Sequence, residues 1–150
     1  MDWVKVIVVS AMPFFELRGG IPLAIYLGFS PITAYFLAVT GNFIPIPFLL
    51  FFLDRVRSVI ERFDRVYAVY LKIVDKIEKR RRIVERYGYI GLTFFVLIPF
   101  PATGAWTGSL LAFLLGLNKL KSMIFIFLGI TIAGVIVLLT SIGIKSAILL

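Results

Sequence analysis

Residues 31–53 run without a single charge, and residues 119–144 carry only Lys119 and Lys121 at their start. As helices these runs would be about 35 and 39 Å long. Either is enough to cross a ~30 Å hydrocarbon core. A segment in that solvent must satisfy its own backbone hydrogen bonds, which for a single run means a helix. With 61% hydrophobic residues and a mean hydropathy of +1.04, the chain carries more apolar surface than a soluble domain of 150 residues can hide. It reads as an all-α integral membrane protein, multi-pass and in the cell membrane. The N-terminal stretch does not read as a signal peptide, because Asp2, Lys5, Glu16 and Arg18 interrupt it and no small-x-small cleavage site follows.

The net charge of +8 does not point to nucleic acid, since 11 of the 16 basic residues fall within residues 54–86, beside 6 acids. Such a block marks a cytoplasmic segment under the positive-inside rule. Cysteine and histidine are absent, so disulfides, the usual metal centres and Ser/His or Cys/His catalysis are excluded. No nucleophile–base pair is visible and no cofactor is called for; an enzyme is not expected.

Two other apolar regions are broken. Residues 3–29 are interrupted at "ELRGGIP" and residues 88–117 at "PFPATGAWTG". The legs 3–15 and 21–29 would be about 20 and 14 Å long, short of a bilayer core, and the legs 88–99 and 104–117 fall short as well. Short helix, Gly/Pro break, short helix is the pattern of a re-entrant hairpin, whose non-helical tip must be covered by protein or trapped water. The first break, "PFFELRGGIPLAIYLG", is echoed by "PFPATGAWTGSLLAFLLG", and Gly28–Gly41 has the same spacing as Gly116–Gly129. The expected architecture is one membrane domain, residues 1–150. A first hairpin and transmembrane helix occupy 1–53, a long amphipathic cytoplasmic helix 54–87, and a second hairpin and transmembrane helix 88–150. Counting crossings from a cytoplasmic 54–86 places both termini outside and inverts one half relative to the other. Both tips then meet near the midplane, as in transporters built from inverted repeats.

Glu16 and Arg18 are the charges that need explaining. A charge at membrane depth costs about 3 kcal/mol or more on insertion scales, so a hidden ionisable pair marks a functional site. Glu16 could exchange a proton; Arg18, with the Gly19 and Gly20 amides, could hold a phosphate. The alternative is an ion pair that only pins the hairpin. In the second break, Thr103, Gly104, Trp106 and Thr107 offer hydroxyls, close backbone approach and an indole N–H, unless the segment is merely a kinked helix. Asn42, beside Gly41 and ahead of Pro45 and Pro47, could line the same site, although helix packing also explains Gly41. Residues 54–86 show apolar positions at near-heptad spacing with i,i+4 charge pairs such as Arg57/Glu61 and Asp75/Lys79. That helix would lie on the membrane or pack on a partner. Lys79, Arg80, Arg81 and Arg82 would meet anionic headgroups of membrane lipids. Two spanning helices shield two hairpins poorly, so a homo-oligomer is expected.

"ELRGGIPLAI", "GNFIPIP" and "PFPATGAWTGSLLAFLLGL" resemble the small multi-drug export protein family, over most of the chain, and that family is distantly similar to the DedA/VTT membrane proteins. The resemblance implies a double re-entrant fold and, through the DedA/VTT group, movement of lipid phosphates or phospholipids between leaflets. Glu16 matches the acid that group carries on its first hairpin. Thr103 and Gly104 stand where it carries arginine, and Arg18 lies on the first hairpin instead. The expected function is a flippase- or scramblase-like carrier of an anionic lipid, proton-coupled through Glu16. The alternatives are a proton-coupled multidrug exporter and a membrane scaffold that transports nothing.

Overall fold

The computed structural model describes residues 1–98 and 103–148. Among these described residues eight helices follow one another: α1 (Asp2–Ala11), α2 (Glu16–Tyr26), α3 (Pro31–Phe43), α4 (Pro45–Ile60), α5 (Asp64–Glu78), α6 (Arg82–Leu97), α7 (Ala105–Leu114) and α8 (Lys119–Ile148). No strand occurs among the described residues. The opening "PFPA" of the second break, residues 99–102, lies outside them.

α3 and α4 join into one apolar helix, Pro31–Ile60, and α8 forms the other; both are long enough to cross a bilayer. Only 28% of the most apolar stretch of α8 is buried, and 39% of that in α3–α4. Leu139, Phe48, Phe36 and Ile32 project outward, each more than half exposed. A core helix of a soluble protein would hide such surface; here it faces outward, as a lipid solvent allows. The chain is a membrane protein.

The first break falls earlier than the glycines suggest. Met12 is extended (φ −74°, ψ 141°), as a residue before proline prefers, and Pro13 cannot continue α1. The turn occupies "MPFF", and "ELRGGIP" lies inside α2, which accommodates Pro22. α1 and α2 then pack on each other and on α3. The expected single helix over 54–87 is in three parts. α4 runs on to Ile60, α5 is separate, and α6 begins at Arg82 and bends at Gly88 (φ 60°, ψ −136°). Turns at 61–63 and 79–81 divide it.

The described C-terminal ends of the echoed segments fold alike. Gly28 and Gly116 both have positive φ, 87° and 64°. Phe29 N–H bonds to Ala24 O and Leu117 N–H to Ala112 O, both at 3.0 Å, while Gly28 and Gly116 bond to Ile25 O and Phe113 O. This is the Schellman arrangement at both helix ends, which favours glycine because no Cβ opposes the left-handed turn. Two residues on, Ser30 and Asn118 each cap the following helix, accepting from Thr33 N–H (3.2 Å) and Lys121 N–H (3.0 Å). Gly41 and Gly129 then receive a backbone from a preceding helix. A Cβ on Gly41 would lie 2.6 Å from Ile7 O, and one on Gly129 2.9 Å from Thr93 O. Tyr35 Oη, bonded to Thr131 O at 3.0 Å, ties α3 to α8.

Candidate functional site

Glu16 is the only charged side chain buried among the described residues, at 6% exposure. It sits at the first turn of α2 with φ 48°, a left-handed conformation that an L-residue holds only under constraint. The constraint is the turn itself: Glu16 N–H closes on Met12 O at 3.0 Å, just after Pro13 has ended α1. The chain there directs the carboxylate across to the N-terminus of α7, where Trp106 N–H donates to Oε1 at 3.3 Å. An unpaired N–H at a helix start attracts negative charge, and Glu16 supplies it from another element.

The junction has three further ties. Trp106 Nε1 donates to Ala11 O at 3.1 Å, linking α7 to the last residue of α1. Arg18 Nη2 donates to Ile98 O at 2.8 Å, and Thr103 Oγ1 donates to the same carbonyl at 2.6 Å. Gly104, φ 147°, passes so close that a Cβ there would strike the Glu16 carboxylate. Thus Glu16, Arg18, Thr103, Gly104 and Trp106 gather where the two broken segments meet. Thr107 is adjacent, its hydroxyl donating to Gly104 O at 3.3 Å.

Gly19, Gly20 and Asn42 are placed differently. Gly19 N–H is taken by Phe15 O at 2.9 Å, within the α2 ladder. Gly20 faces Ser10, whose hydroxyl occupies the space a Cβ would need. Gly20 therefore lets α2 approach α1 and α3 closely, whereas Gly19 makes room for the Phe15 ring one turn earlier in its own helix. Asn42 is buried in α3, and its Oδ1 makes no hydrogen bond among the described residues. Ser10, buried between Gly20 and Gly41, is a residue sequence reasoning did not single out. Trp106 as a bridge was partly visible, since an indole at a membrane-depth break needs an acceptor. A cleft of about 400 Å³ lies at the far end of α7, lined by Leu50, Phe113, Leu117 and the Asp54–Lys119 pair (3.4 Å). It touches none of the Glu16 group.

Compared with known protein families, residues 16–136 match the model described as "Putative small multi-drug export protein". The chain belongs to that family. The match begins at Glu16 itself, just after the first turn, and takes in α2 to α7 and most of α8. No curated protein and no solved structure matches this member of the small multi-drug export family.

Proposed function

We propose that this chain exports small hydrophobic cations, with Glu16 holding either a proton or the cation in turn. The family's description supports export of small molecules. The observation that carries the reading is the burial of a lone carboxylate where two broken helical segments meet. Transporters place their binding groups at such breaks.

The sign of the substrate follows from what the helix starts already hold. An anion seeking the α7 N-terminus would have to displace the Glu16 carboxylate from Trp106 N–H. An anion seeking the Gly19 amide would find it bonded to Phe15 O. A cation would instead meet the buried carboxylate's own negative charge, beside the Trp106 N–H that it accepts from. This favours export of cations over carriage of an anionic lipid, which remains the reading that Arg18 would serve. In our reading the α1–α2 and α6–α7 pairs are re-entrant hairpins of an inverted repeat. Gly28/Gly116, Ser30/Asn118 and Gly41/Gly129 fall at one constant offset in the sequence, and Glu16/Gly104 at the same one. Glu16 and Gly104 touch. Equivalent residues meet only near a pseudo-two-fold axis, which is where such transporters bind substrate.

Efflux of a lipophilic cation such as ethidium from proteoliposomes under a pH gradient tests this. Glu16→Gln keeps the side-chain shape and removes the titrating charge; it is expected to abolish gradient-driven transport while melting like wild type. Wild-type rates in folded Glu16→Gln protein would refute the assignment.

A further inference from the structure

The most amphipathic stretch outside the spans is α5, which the site does not use. Its side chains sort into four rows at helical spacing. Asp64, Asp75 and Glu78 form an acidic row, which also carries Ala68 and the exposed Leu71. Arg65, Lys72 and Lys76 form a basic row beside it. Val66, Val69 and Ile73 form an apolar strip next to the basic row, 50, 56 and 42% exposed. Tyr67, Tyr70, Val74 and Ile77 form the last row, which faces the protein: Ile77 is buried, the other three half-buried, and the two tyrosine rings stack at 6.1 Å.

The i,i+4 pairing read from the sequence is present on this segment, but it leaves the basic row of α5 out. Glu61 bonds Arg57 at 2.9 Å, Lys79 bonds Asp75 at 2.8 Å and Arg81 bonds Glu85. Arg65, Lys72 and Lys76 are exposed and make no ion pair among the described residues. The helix also has a fixed level in the molecule. It starts four residues after α4 ends, where the uncharged run 31–53 has given way to charge, and it packs on α4 and α7.

We infer that α5 is a membrane-surface helix that docks on the anionic lipids of the leaflet on its own side. Its Val66–Val69–Ile73 strip enters the acyl boundary, and Arg65, Lys72 and Lys76 reach the phosphates. The basic row flanks the strip, so its long stems can lie along the interface with their charges at headgroup level. The acidic row points away, toward water. A second copy suits this surface less well. Two chains related by a two-fold along the membrane normal would pack α5 antiparallel and set one basic row against the other. The inference is independent of the transport reading, because none of these residues belongs to the Glu16 group.

The chain has no cysteine, so nitroxide labels can be placed singly at Val69→Cys and Asp75→Cys in the whole protein. The labelled protein goes into nanodiscs of phosphatidylcholine alone or with phosphatidylglycerol added, and collisions with oxygen and with a water-soluble nickel chelate are read. With anionic lipid present, the label at 69 is expected to lose access to nickel and gain access to oxygen, while 75 stays open to nickel. Phosphatidylcholine alone, or the combined Arg65→Gln, Lys72→Gln, Lys76→Gln variant, should lose that shift. A nickel-accessible label at 69 in anionic discs would overturn the inference. Shielding that ignores both lipid charge and the triple variant would overturn it too, and dipolar broadening between labels would then identify a second copy as the cover.

Discussion

Gly104 meets two demands at once: a φ of 147° that L-residues rarely adopt, and no room for a Cβ beside the Glu16 carboxylate. Gly104→Ala should therefore cost about 1–3 kcal/mol, through backbone strain and loss of the Glu16–Trp106 bond. Denaturant titration in detergent measures it. Trp106→Phe keeps an aromatic ring and the backbone donor but strips the bond to Ala11 O along with part of the indole's volume, and should cost at least about 1 kcal/mol by the same measurement. How much of this site could be read beforehand depended on the residue. Glu16 and Arg18 were legible because charge in apolar sequence is expensive. The partner of Glu16 was not, because it is a backbone N–H some ninety residues on. Its side-chain direction is set by the Pro13 turn and the unusual φ of Glu16, which no periodicity reveals.

Among the elements, caps and glycine contacts decide where each helix stops and how near its neighbour comes. Gly41→Ala would press a methyl on Ile7 O, a backbone atom that can yield only if α1 moves. It should cost about 1–3 kcal/mol. Gly143→Ala meets nothing within 4 Å inside α8 and should be neutral or stabilising by up to about 1 kcal/mol, making it the internal control. Both long apolar helices were legible from apolar length, as were the Ser30 and Asn118 starts from their residue types. The first break was displaced because two adjacent glycines look like the weak point, whereas Pro13 ends α1, Gly20 serves close packing on α1 and α3, and Gly19 makes room for Phe15. The 54–87 segment was over-joined because near-heptad spacing runs through two turns without losing phase. Its turns at 61–63 and 79–81 contain neither glycine nor proline.

At the scale of the whole molecule, the apolar faces of α3–α4 and α8 are largely open, and lipid or further copies of the chain must cover them. Topology follows from the basic block: Ser58→Cys should label only from the cytoplasmic side, and Asp2→Cys and Ser146→Cys only from outside. Labelling of Ser58→Cys from outside in intact cells would reverse the arrangement. The expected homo-oligomer is checked by mass measurement in nanodiscs, where monomers alone would speak against it. Everything proposed for transport rests on one carboxylate exchanging a proton for a cation, and linkage makes that exchange directly observable. A lipophilic cation is added to the purified protein in weak buffer and the pH of the solution is followed. The account predicts that binding releases a proton, that affinity falls as the solution is acidified, and that Glu16→Gln abolishes the release. Cation binding without proton release, or release that persists unchanged in Glu16→Gln, would contradict it.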